Sequence, residues 1–595
     1  MNAIKKLNDR LRGLTDAIAR FPLTTAFLLV AALINAYDIN TEKDYLKFLI
    51  TLVFGAFLSA VFQVAYERYF SKFSTRVLLM GVVVLLTAGY YLIISSSPEL
   101  SMEITIRTSV ALFALFFAFI WVPVVKGKIS FNKSFMIAFK SLFNTLFFSS
   151  IIFAGISIIL AAINELIFTV DFTAYSHTAS IVFILVAPMY FLSLIPIYPG
   201  TADKNKGGEI TDLQEQTINK AASCPKFLEI LISYILIPLI AMFTIILLIY
   251  MIQNIGGAFW TDNLLEPMLV SYSITVILVY ILASEIENKF TVFFRRVFPK
   301  VLVPIVLFQI ISSMISLTDI GITHTRYYVI LFGVFAVAAG SLMSFLPVRK
   351  NGIIAAMLIV FSVISVVPPV DAFTISRSSQ INKVENVLLK NDMLENNTVK
   401  PNASISEKDK ETITSVMNYL NRMEYTDKVE WLPAHFNFYN DFYDTFGFHE
   451  YEQPRNRNQS VYVSLEEQMA IDISGYDTFL YSNIYFPSNK GEEELVDMVI
   501  LGENYTLQKN ITQDQGSISL IGSNNEALIS FKTREIFDRF SDFHSSKGFI
   551  SIEEATFSKE NEHAKMTLVV QNVSLDKTSS PTYYGSDFYI FVKIK

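Results

Sequence analysis

The sequence predicts two bodies of different physical character: an all-α polytopic membrane domain of about eleven transmembrane helices, then an extracytoplasmic α+β domain with a mainly antiparallel sheet. Three observations carry that expectation. The 595-residue chain is 52% hydrophobic and only 17% charged, against about 25% charged in an ordinary soluble domain. The deficit is confined to residues 1–370, which read as one apolar run after another, whereas 371–595 are mixed in character. Within the first part, basic residues concentrate in every second loop.

A helix needs about 20 mostly apolar residues to cross about 30 Å of hydrocarbon. The runs 21–37, 45–65, 76–96, 107–125, 141–163, 178–198, 228–252, 268–284, 301–317, 327–346 and 353–369 give eleven. Lipid offers the backbone no hydrogen bonds, so each run must be helical. The runs are too long and continuous for barrel strands of about ten alternating residues.

Charge then sets orientation. With the N-terminus cytoplasmic, the inward segments hold Lys5, Lys6, Arg10, Arg12 and Arg20; Arg68, Lys72 and Arg76; Lys126, Lys128, Lys133 and Lys140; Lys204, Lys206, Lys220 and Lys226; Lys289, Arg295, Arg296 and Lys300; and Arg349 with Lys350. The outward loops hold Lys43, Lys47, Arg107 and Arg326. That is 22 basic residues against four, which the positive-inside rule reads as a cytoplasmic N-terminus and, after an odd number of spans, an extracytoplasmic C-terminal domain. No small-residue cleavage motif follows the first run, so it reads as a retained span of a multi-pass cell-membrane protein. The net charge of −7 predicts no nucleic-acid partner; membrane lipids are the expected surroundings.

Residues 1–20 form a cytoplasmic segment in which Ile4, Leu7, Leu11, Leu14 and Ile18 make one apolar stripe, the pattern of a helix lying on the inner leaflet. The membrane domain follows over 21–370, with Pro188, Pro238 and Pro304 as candidate helix breaks and Gln309 deep in the ninth run. The loop 199–227 predicts a Gly-Gly turn followed by a helix and holds Cys224, the single cysteine. The outer domain must therefore rely on its own core, with no disulfide. The last run stops at Pro368 and Pro369, which cannot continue a helix.

A junction helix and linker occupy 371–404, with Ser378 or Ser379 as N-cap, the helix over 376–392 and the linker over 396–404. The domain 405–595 opens with a helix over 406–423. Period-two alternation then predicts strands at 459–486 (including Met469, Ile471 and Ile473), 495–502, 517–522, 565–575 and 587–595, with one helix at 532–543. These read as one compact α+β domain.

The chemistry on offer is sparse. His177, His324, His435, His449, His544 and His563 form no HExxH, and the nearest approach to a metal cluster is His435, Asp444, His449 and Glu450. No metal, cofactor or catalytic residue is assigned. The aromatic run 436–448 reads as core, with a ligand- or glycan-facing patch as its alternative.

The most informative stretch is 317-LTDIGITHTRYYVILFGVF-335, where Asp319, His324 and Arg326 interrupt two apolar runs. Asp319 and Arg326 bracket a Gly321 turn and could pair across it; Arg326 with Tyr327 and Tyr328 could instead hold a lipid headgroup. Asp319, His324, Arg326 and Tyr327 are the candidate lipid or substrate contacts.

With 20-RFPLT-24, 232-ISYILIPLIAMF-243, 320-IGITHTRYY-328 and 369-PVDAFTISRSSQINKVENVLL-389, the chain resembles the bacterial membrane family DUF4153 in its form of about 600 residues. Gly321, Thr323, Arg326 and Tyr327 match its turn motif, and Asp371, Ala372, Ile375, Ser376, Ser379 and Gln380 match its junction. Of the family's Trp-Pro-Gly element, 259-FWTDN-263 keeps only Trp260. The resemblance implies a polytopic cytoplasmic-membrane protein and supplies no catalytic residues. The favoured reading is an envelope scaffold, assembly or sensing protein whose outer domain meets envelope proteins or glycans. The alternatives are a transporter of a small molecule or lipid, marked by a polar-lined cavity reaching mid-membrane, and an envelope-modifying enzyme, marked by a convergent ionisable cluster.

Overall fold

The computed structural model describes residues 13–41, 44–95, 100–201, 208–254, 265–450, 460–466, 470–486, 491–500, 502–511, 516–540, 549–576 and 583–595. The chain divides into two compact units, Met1–Val387 with Val416–Glu430, and Leu388–Ser415 with Trp431–Lys595. Among the described residues of the first, eleven helices are long and apolar enough to cross a bilayer. These are spans 1 to 11: Pro22–Thr41, Leu46–Tyr69, Phe73–Ser95, Met102–Val124, Phe131–Leu166, Thr173–Ser193, Lys226–Gln253, Glu266–Glu285, Lys289–Ile315, His324–Phe345 and Val348–Val366. The protein is a multi-pass membrane protein. Of the N-terminal amphipathic stripe, residues 13–20 are helical and the rest lies outside the described residues, as does Trp260.

Two spans begin ten or more residues earlier than hydropathy predicts. Span 5 starts at Phe131, capped by Ser130, whose Oγ accepts from the Lys133 N–H. Span 9 starts at Lys289, where Asn288 and Thr291 form a reciprocal capping box. The added turns carry Lys133 and Lys140, or Arg295, Arg296 and Lys300. Hydropathy sees only the stretch that matches hydrocarbon, while a helix can run on beyond it.

The expected proline breaks resolve in two ways. Pro188 and Pro238 each follow a π-helical turn by two residues, Ile181–Val186 in span 6 and Leu231–Leu236 in span 7. A helical proline lacks an N–H and crowds the carbonyl four residues back. Here those carbonyls belong to Ile184 and Tyr234, inside the wider turn, which makes room for the ring. Pro304, by contrast, sits in an unbroken helix.

Small residues set the closest packing. Gly333, Ala336, Ala339 and Gly340 of span 10 are buried, and a Cβ at Gly333 would come within 2.7 Å of Ile310 Cγ1 on span 9. Such a stripe lets two membrane helices approach until their side chains interlock.

In the second unit, β1 (Leu394–Glu395) and β2 (Thr398–Val399) form a hairpin inside the expected linker. Asn396 and Asn397, at φ 50° and 61°, supply the left-handed pair its two-residue turn requires. The remaining strands are β3 (Ser460–Leu465), β4 (Thr478–Phe486), β5 (Gly491–Ile500), β6 (Glu503–Ile511), β7 (Gly516–Ile521), β8 (Ala527–Lys532), β9 (Phe549–Ile550), β10 (Thr556–Glu560), β11 (Ala564–Asp576) and β12 (Tyr583–Ile594). They form a six-stranded sheet ordered β4-β12-β11-β3-β9, with β10 on β11, and a four-stranded sheet β5-β6-β7-β8. All pairs are antiparallel except β3 with β9. The helix Thr533–Phe540 buries Ile536, Phe537 and Phe540.

Three sequence expectations are corrected. The C-terminal strands are mainly antiparallel as expected, but they form two larger sheets where one was read, because β6 and β8, unread in the sequence, complete a separate meander. The junction helix runs over Ala372–Lys390, starting before Ser378 and Ser379 because Asp371 caps it instead. Ile471 and Ile473 lie in irregular chain, where Asp472 accepts the Ser474 N–H and turns the backbone away from a strand; Met469 lies outside the described residues. The aromatic run 436–448 is core: Phe436, Phe438, Phe442, Phe446 and Phe448 are buried together, with only Tyr439 and Tyr443 of its rings exposed.

Replacing Gly333 by Leu forces spans 9 and 10 apart and should destabilise the solubilised protein by about 1–3 kcal/mol. Thermal unfolding in detergent checks this, with lipid-facing Val334→Leu as the neutral control.

Candidate functional site

The predicted turn lies between spans 9 and 10, and Gly321 ends the preceding helix at φ 76°, ψ −179°, a conformation open in practice only to glycine. An added Cβ would also meet Gln380 Nε2 at 2.8 Å. The turn is held by the start of the junction helix: Ser379 Oγ accepts from the Ile322 N–H at 3.0 Å, and Gln380 Nε2 donates to the Ile322 carbonyl at 3.1 Å. Two of the four stretches that carry the family resemblance, 320–328 and 369–389, are thus packed on each other.

Of the four candidate residues, His324 is stacked between Phe373 and Tyr419, each ring centroid 5.8 Å away. Its N–H donates to the Tyr419 hydroxyl at 3.2 Å, and that hydroxyl donates to Ser376 Oγ at 3.1 Å. Tyr327 donates its hydroxyl to the Val370 carbonyl at 2.6 Å. Arg326 is buried, at 7% exposure. The side chain of Asp319 lies outside the described residues, and with it the expected pairing to Arg326.

Next to this turn is a charge cluster that sequence reading missed. Arg107 of span 4 donates from Nη2 to Asp371 Oδ1 at 2.6 Å, from Nε to Glu103 Oε1 at 2.9 Å, and from Nη1 to the Val366 carbonyl at the end of span 11. Its guanidinium lies 5.0 Å over the Phe373 ring. Glu103 Oε2 accepts from the Tyr425 hydroxyl at 2.7 Å. Asp371 is fully buried, and its Oδ1 also accepts from the N–H groups of Phe373 and Thr374. Burial pulls the Asp371 carboxyl upward, but the Thr374 hydrogen bonds and Arg107 outweigh it and hold the group below the usual carboxylate range. Burial, with the Glu103 carboxylate, pushes the Tyr425 phenol up; burial does the same for Tyr419. The signal available in the sequence was Arg107 as one of four basic residues on its predicted side; Glu103 is one helical turn away, but Val366 and Asp371 lie more than 250 residues on.

This is an ionisable cluster, but its groups are turned on one another. Glu103, Arg107, Asp371 and Tyr425 close a chain of charge-assisted bonds that fixes spans 4 and 11 to the junction helix. Among the described residues no three His, Cys, Asp or Glu side chains converge as metal ligands; His449 stacks on Tyr443 instead.

The second unit carries an exposed face of a different kind. Cross-strand register aligns Phe479 with Phe591, Tyr481 with Tyr589, Asn483 with Asp587, and Tyr485 with Gly585 on β4 and β12. Directly opposed residues share a face of the sheet. The row Ser464–Asn572–Asp587–Asn483 therefore crosses four strands as a polar band. Rings lie on either side of it, Tyr481 and Phe479 on one and Tyr485, Tyr583 and Tyr462 on the other, all exposed. Asp587 sits at the centre, accepting from the Tyr485 hydroxyl and from Asn572 Nδ2, each at 2.8 Å. That hydrogen bond to a carboxylate pushes the Tyr485 phenol up to about 12. Exposed rings flanking hydrogen-bonding groups can stack on an amphipathic ligand and read its polar edge.

Replacing Arg107 by Met leaves Asp371 buried and unpaired, and should cost about 3–5 kcal/mol. The double variant Arg107→Met with Asp371→Leu should recover a large part of that loss in the same thermal assay.

Comparison with known protein families matches residues 23–404 to the family described as a domain of unknown function (DUF4153). No curated protein and no solved structure matches the chain. The matched segment takes in all eleven spans, the Gly321 turn and the junction helix, well over half of the sequence, and the chain belongs to the DUF4153 family.

Proposed function

We propose that this chain is an envelope scaffold or sensing protein of the bacterial cytoplasmic membrane, with its N-terminus cytoplasmic and its C-terminal domain outside, and that the aromatic face of β4 and β12 binds an envelope glycan. The observation that carries the reading is that face: exposed rings on both sides of a polar band centred on Asp587. A sugar ring has apolar C–H faces and a hydroxyl rim, so aromatic stacking and carboxylate or amide hydrogen bonds recognise it together. A protein partner would favour a drier, more continuous apolar patch than this banded one. The orientation rests on the 22-to-four distribution of basic residues between alternate loops. The closed Arg107–Glu103–Asp371 cluster supports a holding role over a reactive one, since its charges are engaged with each other.

The orientation test uses the single native cysteine. In a Cys224→Ser background, cysteines placed at exposed Tyr439 and at exposed Lys128 should differ. A membrane-impermeant maleimide applied to intact spheroplasts should label the first and spare the second; the reverse pattern would invert the topology.

For binding, purified protein should be retained on isolated cell-wall glycan, and the double variant Tyr481→Ala, Tyr485→Ala should lose most of that retention, about ten-fold or more for two stacking rings. Retention that is unchanged in the variant, with a co-purifying protein lost instead, would move the face to a protein partner.

A further inference from the structure

Among spans 1, 2, 4, 5 and 6 lies a cavity of about 380 Å³, within the range of sites that hold small ligands. Its inner wall includes Leu28, Ala56, Phe119 and Leu192, all buried. Its rim includes Phe57, Leu142, Leu146 and Phe183, which are exposed on the surface of the membrane-spanning unit. The medium that reaches such a rim is bilayer hydrocarbon.

Three observations decide what fills it. Among the described residues no charged side chain lines the cavity, and its polar side chains are Thr24 and Thr145. Water needs two to four polar partners to settle in a buried site, and the Thr24 hydroxyl is already directed at the Ala56 carbonyl. Thr145 Oγ1 is itself covered by protein, with no hydrogen-bond partner among the described residues, so it presents no polar atom to an occupant. Finally, the wall includes Phe183 and Ile184 of the π-turn Ile181–Val186 and the Ala187–Pro188 pair that follows it. A void of this size left empty would forfeit dispersion contacts on every side.

We propose that this cavity holds one acyl chain of a phospholipid from the surrounding bilayer, entering past Leu142 and Leu146 of span 5 and Phe183 of span 6. The chain completes the core of the membrane unit, and the site binds hydrocarbon, not a polar solute. This proposal stands independently of the glycan-binding reading of the second unit.

The test uses the full-length protein in liposomes of phosphatidylethanolamine and phosphatidylglycerol, doped with a phospholipid bearing a diazirine midway along one acyl chain. After photolysis, peptide mapping should find adducts on the buried wall residues Phe119 and Leu192, which bilayer lipid outside the protein cannot touch. It should also find them on lipid-facing Leu85 and Ile158, which serve as internal references. Filling the cavity with Ala187→Phe, or separately with Ala60→Leu, should lower the wall adducts several-fold and leave the Leu85 and Ile158 adducts unchanged; those references also show that each variant is folded and inserted. Wall residues unlabelled in the wild type, with Leu85 and Ile158 labelled, would overturn the proposal. So would wall labelling that persists in both filled variants.

Discussion

The membrane unit turns on the pairing of Arg107 with Asp371. A guanidinium near the end of a membrane helix can reach water or find a carboxylate, and here it finds two, with a backbone carbonyl from span 11 as a third acceptor. Buried pairs of this kind return little net stability, because desolvation of both charges offsets most of their attraction. What they fix is register. Asp371 is both the counter-ion of span 4 and the N-cap of the junction helix, so the place where the chain leaves span 11 and the direction in which it continues are set together. From that start the helix presents Ser376, Ser379 and Gln380 to the Gly321 turn and to Tyr419, and the turn in turn positions His324.

Inside the bilayer the hydrophobic effect does not draw helices together, since lipid is as apolar as leucine, and packing must come from shape. Spans 9 and 10 solve this by small residues at Gly333, Ala336 and Gly340, which allow close approach. Spans 5 and 6 do the opposite. The π-turn before Pro188 widens the helix just where Phe183, Ile184 and Ala187 border the cavity. The π-turn before Pro238 has the same spacing, so the device is used twice in consecutive spans. The same unit therefore contains one interface closed by small residues and one left open to hydrocarbon.

How much of this was legible depends on the range of each interaction. The eleven spans, the helix near 406–423 and most long strands were readable because periodicity and hydropathy are properties of neighbouring residues. Span 5 and span 9 were read short because cations interrupt the apolar residues of their first turns, Lys133 and Lys140 in one and Arg295, Arg296 and Lys300 in the other. The N-cap of the junction helix was misplaced by at least seven residues because Asp371 looked like a loop residue until Arg107 was seen beside it. His324 and Tyr327 were singled out as candidate contacts, but their partners Tyr419 and Val370 come from contacts no local pattern encodes. Glu103, Tyr419 and Tyr425 carried no signal at all. The 436–448 rings and the β4 rings have similar composition, yet the first group packs as core and the second stands exposed; only strand register, with Tyr481 beside Tyr589 and Asp587 beside Asn483, separates them.

The family match ends at residue 404, and this divides the functional features into two kinds. The cavity of spans 1, 2, 4, 5 and 6, the Gly321 turn, Arg107 and Asp371 lie inside the matched segment. The polar band and rings of β3, β4, β11 and β12 lie beyond it, as do Tyr419 and Tyr425. Two tyrosines from the unmatched part nevertheless complete the cluster of the matched part, through Ser376, His324 and Glu103. Both tyrosines belong to the first unit through Val416–Glu430, so the charged cluster of spans 4 and 11 is completed inside the membrane unit by a segment that the family match does not cover.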